Sequence, residues 1–311
     1  MKKISAFAPA TIANLSVGFD VLGLALDSIG DSIELTINDT TNNTIVDIEG
    51  GANLPTAPDK NCCSVVIRKM QEQLNDFKGV DIKLRKGFKS GSGLGSSSAS
   101  SAVAAYAYNQ LVGAPFTEQE LVVFAAEGER IACGAAHADN VAPALMGGLV
   151  LVRAHQPIDI IALPIPDGLH AVLFFPDVKI NTADSRAVMN KNISLGKAAN
   201  QWANLGAFVA SLYQNDLDLL ARSLQDFVAE PVRSLFIPKF QELKAAAMSH
   251  QALGFGISGS GPSVFALAAN KEQAESIRQS FDQVFANNTI QTMSFVESLS
   301  NNQGARIIES F

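Results

Sequence analysis

The first third of the chain alternates hydrophobic and polar residues in three stretches. They are DSIELTIN at 31–38, NTIVDIEG at 43–50 and GVDIKLRK at 79–86. Successive side chains of a strand point to opposite faces, so this period of two predicts half-buried β-strands with antiparallel pairing and hairpins. The stretch NCCSVVIRKMQEQLNDF at 61–77 instead spaces its apolar residues as a helix does. Strand and helix are therefore expected to be interleaved from the start.

Two more helices are predicted in the middle of the chain. The glycine-rich stretch KSGSGLGSSSASSAVAAYAYNQLVG at 89–113 runs into small apolar residues and predicts a helix closed by Gly113. The stretch PFTEQELVVFAAEGERIA at 115–132 has Thr117 as N-cap and Glu120 three residues later, which is the pattern of a capping box. The start of this second helix is therefore defined by local sequence.

A domain boundary is predicted after the buried strand GGLVLVRA at 147–154. Proline-bearing turns follow that strand, and they divide the chain into a domain at 1–163 and a domain at 164–311. In the second domain, hydrophobic spacing predicts strands at 170–176, 263–268, 290–297 and 305–309, and helices at 197–213, 216–228, 238–253 and 271–286.

Three residues mark ends of these helices. Pro238 suits a first helical turn, Gly254 suits a helix end, and Asn270 suits an N-cap. The order of elements predicts the α+β class, with helices packed on a mostly antiparallel sheet.

Composition fits a compact globular protein that does not bind nucleic acid. The 311 residues are 47% hydrophobic and 17% charged, and 30 acidic against 23 basic side chains give a net charge of −7. No long Lys/Arg block offers a nucleic-acid surface. Because the overall field repels anions, any anion has to be held by a few local donors and a metal ion.

The cysteines and the N-terminus indicate a cytoplasmic location. Cys62, Cys63 and Cys133 are an odd set without metal-ligand spacing, which is typical of reduced thiols in the cytosol. The first residues resemble a secretory signal, but Pro9 and later polar residues interrupt the apolar run. No run reaches the roughly 18 to 20 apolar residues that a membrane span needs.

The glycine-rich stretch is either a flexible linker or a phosphate site. Gly91, Gly93 and Gly95 leave room for a phosphate to approach the backbone, and 96–98 add three serine hydroxyls at the start of a helix. The lysine and spacing of a Walker A loop are missing, and so is the packing glycine of a dinucleotide fingerprint. The helix directly behind the loop favours the phosphate site.

Three other segments are candidates for chemistry. GFGISGSGPSVFAL at 254–267 indicates a tight turn when taken alone. In APATIANLSVGFDVLGLAL at 8–26, Asn14 and Asp20 either satisfy turn backbone or bind a ligand. In EGERIACGAAHADNVAPALMGG at 127–148, Glu129 is expected on a helix, and a loop is expected to carry His137, Asp139 and Asn140. A lone histidine is more often structural, and no second histidine supports a metal site with Asp139.

Together these segments resemble the GHMP small-molecule kinases over nearly the whole chain. GSGLGSSSAS at 91–100 is similar to the family's phosphate loop, 8–26 to its N-terminal motif, and ISGSGPSVFAL at 257–267 to its C-terminal glycine motif. NLSVGFDVLG, HADNVAPALMGG, NTADSRAVM and EPVR are similar to the branch of the family that phosphorylates homoserine.

The resemblance implies ATP and Mg²⁺ as the nucleotide and metal. ATP phosphates are expected on a loop comprising Gly91, Ser92, Gly93, Leu94, Gly95, Ser96, Ser97 and Ser98. Ser97 and Glu129 are expected to hold Mg²⁺, and Asn61 to contact adenine. One hydroxyl and one carboxylate suffice, because Mg²⁺ keeps water and phosphate as its other ligands.

The resemblance also implies L-homoserine as the small-molecule substrate. Asp20 with Asn14 is expected to bind the ammonium, and Arg186 with Arg233 the carboxylate, for which planar guanidinium donors are suited. The remaining expected substrate contacts are His137, Asn140 and Gly259. Without the resemblance, either arginine would be read as part of a surface ion pair.

The expected mechanism has no dedicated carboxylate base. Asn140 and Thr11 stand where other branches of the family carry an aspartate and a basic residue, and an amide cannot accept the hydroxyl proton. We expect direct in-line attack on the γ-phosphate, with Asn140 next to the hydroxyl and Arg186 stabilising the developing charge.

The implied fold has two α+β domains, the first with a left-handed βαβ unit and the second a ferredoxin-like sandwich. A homodimer and a role in threonine biosynthesis are implied in the same way. Two other functions stay open: a kinase of the same family acting on another alcohol, and a non-catalytic metabolite-binding regulator. A neutral alcohol would need no pair of arginines, and a regulator would need no metal ligands.

Overall fold

The computed structural model describes residues 2–51, 53–134, 136, 138–300 and 302–310. Its strands are β1 (Lys3–Ala13), β2 (Leu22–Ile37), β3 (Thr44–Glu49), β4 (Val80–Arg85), β5 (Leu149–His155), β6 (Ile158–Leu163), β7 (His170–Pro176), β8 (Gly254–Ile257), β9 (Val264–Ala268), β10 (Thr292–Ser298) and β11 (Arg306–Ser310). Its α-helices are α1 (Cys62–Leu74), α2 (Ser96–Leu111), α3 (Glu118–Cys133), α4 (Ala138–Met146), α5 (Thr182–Ala187), α6 (Leu195–Gln214), α7 (Leu217–Ser223), α8 (Glu230–Arg233), α9 (Phe240–Ser249) and α10 (Lys271–Phe285).

The strands form two sheets, one in each half of a two-domain α+β fold. The larger sheet has the order β11-β1-β2-β4-β3, and β5 pairs with both β2 and β6. Within it β3 and β4 are parallel neighbours, and α1 lies between them in the chain, as in a βαβ unit. The left-handedness of this unit stays a prediction.

The second sheet has the order β10-β7-β9-β8 and is antiparallel throughout its described pairs. With α10 between β9 and β10, and helices between β7 and β8, this is the ferredoxin-like β-α-β-β-α-β arrangement expected from the sequence. The boundary at 163/164 stays a prediction; it lies between β6 and β7, whereas β11 returns to pair with β1.

Helix α2 is buried along most of its length, which fixes the glycine loop that precedes it. The helix packs against β1 and β2 on one side and against α1, α3 and α4 on the other. Its sequence, SSSASSAVAAYAYNQL, is mostly small residues, so neighbouring elements can approach closely. The loop at its N-terminus therefore stands on a rigid base.

Several elements confirm the sequence-based expectations. The Thr117 hydroxyl accepts from the backbone N–H of Glu120, and the Glu120 carboxylate accepts from the N–H of Thr117, so the capping box is present. Asn270 caps α10 by accepting from the N–H of Gln273. The predicted strands of the first third are present as parts of β2, β3 and β4.

Three expectations about helices were wrong. Asp139 and Asn140 lie in the first turn of α4 rather than in a loop. Helix α7 ends at Ser223 rather than 228, because the Asp226 carboxylate accepts three backbone N–H groups and turns the chain into α8.

The third correction concerns the helix expected at 238–253. Helix α9 begins at Phe240, after Lys239 in the left-handed region, so Pro238 lies outside it. The helix ends at Ser249, and Gly254 begins β8, where a Cβ would lie 2.3 Å from Leu224. Gly254 therefore serves strand packing and not a helix end. Within the described residues, no helix combines the length and apolarity needed to cross a membrane.

Candidate active site

A cavity of about 500 Å³ lies where residues from both halves of the chain meet. This volume is in the range of small-molecule sites. Its lining includes Asn14, Asp20, Gly91, Gly93, Gly95, Ser96, Ser97, Ser98, Glu129, Asp139, Asn140, Arg186, Arg233 and Gly259. Most residues singled out in the sequence are therefore brought to one place.

The glycine loop at 91–95 has a backbone that only glycine adopts easily. Gly91, Gly93 and Gly95 have φ values of 79°, 83° and 68°. A Cβ on Gly93 would lie 2.7 Å from the carbonyl oxygens of Ser258 and Gly261. The loop is thus shaped by close contact with the second glycine segment.

Hydrogen bonds hold this loop from both sides, which a flexible linker would lack. The hydroxyl of Ser258 donates to the carbonyl of Gly93 at 2.7 Å, and the N–H of Ser263 donates to the carbonyl of Ser92 at 3.1 Å. From β1, the N–H of Thr11 donates to the carbonyl of Leu94 at 3.0 Å. The two glycine segments therefore form one structure.

The N-terminus of α2 is open to the cavity. Gly95 occupies the N-cap position with φ 68° and, as a glycine, has no side chain that could cap the helix. The first N–H groups of a helix lack intrahelical partners and attract anions together with the helix dipole. Since 96–98 line the cavity, this end of α2 suits a phosphate group.

A buried ion pair lies directly behind that helix end. Lys86 Nζ contacts the carboxylate of Asp31, and it donates to the carbonyl of Ser96 and the hydroxyl of Ser100, both at 2.8 Å. Asp31 also accepts from the N–H of Gly87 at 3.2 Å and from the Ser100 hydroxyl at 2.6 Å. Both charges are fully hydrogen-bonded, so the pair ties β2 and the end of β4 to the first turn of α2.

Glu129 presents a buried carboxyl to the cavity from α3. One of its oxygens, Oε1, accepts no hydrogen bond from any described residue. Burial raises the pKa of Glu129 to about 7, and the nearby Ser97 and Ser98 hydroxyls and the Lys86 charge only partly offset this rise. Such an oxygen next to the Ser97 hydroxyl matches the ligand types that Mg²⁺ prefers.

The opposite end of the cavity is rich in charge. Arg186 donates from one nitrogen to both carboxylate oxygens of Asp20, at 2.7 and 2.8 Å. Arg233 is 4% exposed, and it donates to the carbonyl of Gly259 at 2.8 Å, as does the Asn14 amide at 3.1 Å. The Nε of Arg233 has no hydrogen-bond partner among the described residues. This end therefore offers one carboxylate and two guanidinium groups.

Asn140 lines the cavity beside the glycine loop. Its Oδ1 accepts from the Thr11 hydroxyl at 2.8 Å, and a Cβ on Gly95 would lie 2.7 Å from that same oxygen. With Oδ1 engaged, the amide N–H₂ of Asn140 is the end left to contact a ligand.

Asp139, beside Asn140, is a second buried carboxyl of the cavity. Burial raises the pKa of Asp139 to about 7, with the negative charges of Asp20 and Glu129 adding to the effect. A carboxyl that titrates near neutral pH in a cavity is a candidate for proton transfer.

Some expected contacts are not brought to the cavity. The Asn61 side chain caps α1, accepting from the N–H of Cys63 and donating to the carbonyl of Pro55 at 2.9 Å. Its contact with adenine stays a prediction. Ser92 and Leu94 point into the protein and are 2% and 0% exposed, so they would contribute backbone only. His137 lies outside the described residues.

Sequence reasoning missed a further part of the lining, at 179–183 and Ser260. Residues 179–181 follow β7 and lead into α5, whose N-cap is Asn181 and whose first residue is Thr182. The hydroxyls of Thr182 and Ser260 lie 3.3 Å apart, which links this segment to the second glycine segment. The sequence did contain a signal, because NTADSRAVM at 181–189 and ISGSGPSVFAL at 257–267 resemble family segments, but no role was assigned to these individual residues.

Comparison with known proteins shows the same organisation. The family model for the GHMP kinases N terminal domain matches residues 61–148, and the model for the GHMP kinases C terminal domain matches residues 208–287. A homoserine kinase of Chlorobium phaeobacteroides is 44% identical over 92% of each chain, and one of Chlorobaculum tepidum is 42% identical over 100% of this chain and 99% of its own. The crystal structure of a homoserine kinase from Cytophaga hutchinsonii superposes with a TM-score of 0.95 at 45% identity, covering 98% and 97% of the two chains.

Proposed function

The chain belongs to the GHMP kinase family, and from this premise we propose that it transfers the γ-phosphoryl group of ATP to the side-chain hydroxyl of L-homoserine. The product is then O-phospho-L-homoserine. The proposal rests on the chain's identity of 42–44% with homoserine kinases and on the make-up of its cavity.

One observation carries the choice of substrate: the charges at one end of the cavity complement a zwitterion. Homoserine carries an ammonium and a carboxylate at one end and a hydroxyl at the other. Asp20 with Asn14 suits the ammonium, and Arg233 with Arg186 suits the carboxylate. The hydroxyl then extends towards Asn140 and the glycine loop. A neutral alcohol would leave these charges without partners.

The glycine loop and the N-terminus of α2 bind the phosphates of ATP in this proposal. The backbone N–H groups of 93–98 are preorganised by the contacts with Ser258, Ser263 and Thr11. Donors that need no rearrangement stabilise charge most effectively during phosphoryl transfer.

Glu129 and Ser97 hold Mg²⁺ in this proposal. The orphaned Oε1 of Glu129 supports this assignment, because a cation would satisfy it. When bound, Mg²⁺ supplies neutralising charge to the phosphates, which a protein of net charge −7 would otherwise repel.

Attack by the hydroxyl is in line with the bond between the γ-phosphorus and its bridging oxygen. The Asn140 amide donates to the hydroxyl oxygen and orients it, and Thr11 fixes the amide. The new oxygen–phosphorus bond forms as the bridging bond breaks and ADP leaves. The transition state is loose, so the hydroxyl keeps its proton until late and then passes it to an oxygen of the transferred phosphoryl group. Arg186 stabilises the charge on that group.

Asp139 supports a second version of the mechanism, in which it accepts the hydroxyl proton. Its pKa of about 7 and its place in the cavity favour this role. Its near-complete burial, 2% exposed, and its position one residue before Asn140 on a helix oppose it, because adjacent helical side chains point in different directions.

Further parts of the proposal concern the setting of the reaction. We propose that the product serves threonine biosynthesis, that the enzyme is cytoplasmic and forms a homodimer, and that the domains divide at 163/164. The pathway and the homodimer are inferred from the family, the cytoplasmic location from the cysteines and the N-terminal sequence, and the boundary from the proline-bearing turns.

The direct test is ADP release with Mg²⁺-ATP and a panel of L-homoserine, L-threonine, L-serine, galactose and mevalonate. Release with L-homoserine, strongly reduced in Arg233→Ala, is the expected result. ADP release only with galactose or mevalonate would show another GHMP kinase activity. ATP binding without release for any alcohol would favour the regulatory function.

A further inference from the structure

Phe19 lies beside the charged end of the cavity, close to both arginines of the proposed carboxylate site. Its ring centroid is 5.2 Å from the guanidinium carbon of Arg233 and 5.9 Å from that of Arg186. Phe19 is half-buried in the turn between β1 and β2, next to Asp20. One aromatic ring thus contacts both cations.

Two guanidinium groups gathered at one site repel each other. Burial lowers the pKa of Arg233, and the charge of Arg186 lowers it further, whereas Asp20 partly offsets both effects. The face of an aromatic ring carries negative potential and attracts a cation within about 6 Å. Phe19 therefore offsets some of this repulsion without adding a formal charge.

Substrate binding makes this contact more important. Asp20 holds Arg186 by two hydrogen bonds, with side chains 33% and 40% exposed. When a substrate ammonium takes Asp20 as its partner, that hold on Arg186 weakens, but the ring of Phe19 remains. The ring carries no positive charge, so it does not compete with the substrate ammonium for Asp20. It also does not cover the N–H edge of the guanidinium group, which binds an anion.

We propose that Phe19 is a positioning residue for the substrate carboxylate: its ring keeps Arg186 and Arg233 side by side while Asp20 exchanges Arg186 for the substrate ammonium. The inference rests on the proposed function, because it takes an amino acid as the substrate. It adds a residue that touches neither the phosphates nor the reacting hydroxyl.

The test compares Phe19→Leu and Phe19→Met, which keep apolar bulk without a ring, with Phe19→Tyr, which keeps the ring. Dissociation constants for L-homoserine are measured by ligand-observed NMR in the presence of Mg²⁺ and ADP. The same titration uses 3-aminopropan-1-ol, which has the ammonium and hydroxyl of homoserine but no carboxylate. ADP affinity and the melting temperature of each variant are measured alongside.

Positioning by the ring predicts about tenfold weaker homoserine binding in Phe19→Leu and Phe19→Met, and a change of about twofold or less in Phe19→Tyr. Binding of 3-aminopropan-1-ol and of ADP stays at the wild-type level in all three variants. Equal weakening for homoserine and 3-aminopropan-1-ol would overturn the proposal, because the ring would then only pack the site.

Wild-type homoserine affinity in both ringless variants would also overturn the role of Phe19 and leave the proposed function intact. A wild-type protein that binds ADP but neither binds nor phosphorylates homoserine would overturn both. Thermal unfolding identifies a ringless variant that is not folded, and the other variant then carries the comparison.

Discussion

The side chains of Asp20 and Arg186 form an ion pair at the charged end of the cavity. In the proposed complex they separate, because Asp20 binds the substrate ammonium and Arg186 binds the substrate carboxylate. The carboxylate accepts from one arginine nitrogen at 2.7 and 2.8 Å. A pair this exposed contributes at most about 1 kcal/mol, so a zwitterion can separate it at little cost. The pair keeps both charges at the site in the absence of substrate.

Replacing Asp20 by Asn removes the proposed partner of the ammonium. Loss of a charge-assisted hydrogen bond costs about 1.5–3 kcal/mol, so kcat/KM for L-homoserine is expected to fall about 10- to 100-fold, mainly through KM. Asp27→Asn is the matched control, since Asp27 pairs with Arg306 at 2.8 Å outside the cavity lining. Steady-state kinetics decide this point: equal effects of the two substitutions would contradict the assignment of Asp20.

The glycine loop offers a matched pair of substitutions. Gly91 and Gly95 have similar φ values of 79° and 68°, so alanine strains the backbone at both. Of the described residues, a Cβ at Gly91 would meet only the carbonyl of Ile180 at 3.7 Å, whereas at Gly95 it would lie 2.3 Å from the Thr11 hydroxyl. We expect Gly95→Ala to lower kcat/KM at least tenfold more than Gly91→Ala, because it also displaces Asn140. Similar losses would mean that backbone strain alone matters.

Glu129 should make the stability of the metal-free protein depend on pH. Its pKa is about 7 in the folded protein and ordinarily about 4.5, so the folded state binds the proton more tightly. The protonated Glu129 carboxyl therefore adds on the order of 3 kcal/mol to the free energy of unfolding. This stabilisation is fully present below pH 4.5 and is lost as the pH rises to about 7. Asp139 contributes in the same direction.

Melting temperatures of the wild type and of Glu129→Gln between pH 5 and 8 measure this effect. The fall with rising pH is expected to be smaller in Glu129→Gln, whose amide does not titrate. In the wild type, Mg²⁺ should raise the melting temperature more at pH 8 than at pH 5, because protons compete for the carboxylate. Identical pH curves for the two proteins would exclude Glu129 as the titrating group.

Asp139 distinguishes the two versions of the mechanism. Without a dedicated base, Asp139→Asn is expected to keep kcat within about tenfold, whereas loss of a general base costs about 10²- to 10⁴-fold. Asn140→Asp serves as the comparison at the neighbouring position. A loss of kcat above 100-fold in Asp139→Asn, together with loss of the acid limb of the pH profile near 7, would establish Asp139 as the base.

The sequence predicted those parts of the fold and of the site whose conformation is set by neighbouring residues in the chain. The loop at 91–98 was recognisable because glycines directly before a helix expose backbone donors, and Thr117 because its cap is satisfied within one turn. The helical setting of Asn140 was missed, since Pro143 inside α4 and the glycines on either side are typical of loops. Helix α4 forms nevertheless because its apolar side is buried against α2 and β1.

Contacts between distant segments could not be predicted in this way. Ser258 contacts Gly93, which lies 165 residues earlier in the chain, and the last strand, β11, pairs with the first strand, β1. The use of Asn61 as a helix cap was missed as well: the resemblance implied a contact with adenine, which stays a prediction, and the fold engages both ends of the amide. Residue type sets which chemistry is available, and packing decides where it is used.

Product identification by ³¹P NMR tests the central claim most directly. The protein is incubated with Mg²⁺, ATP and L-homoserine, and spectra are recorded until ATP is consumed. The account predicts a phosphomonoester signal, split by the adjacent CH₂, that grows in step with ADP and is absent when homoserine is omitted. Inorganic phosphate as the only product besides ADP, or unchanged ATP with a protein that binds it, would contradict homoserine phosphorylation in this cavity.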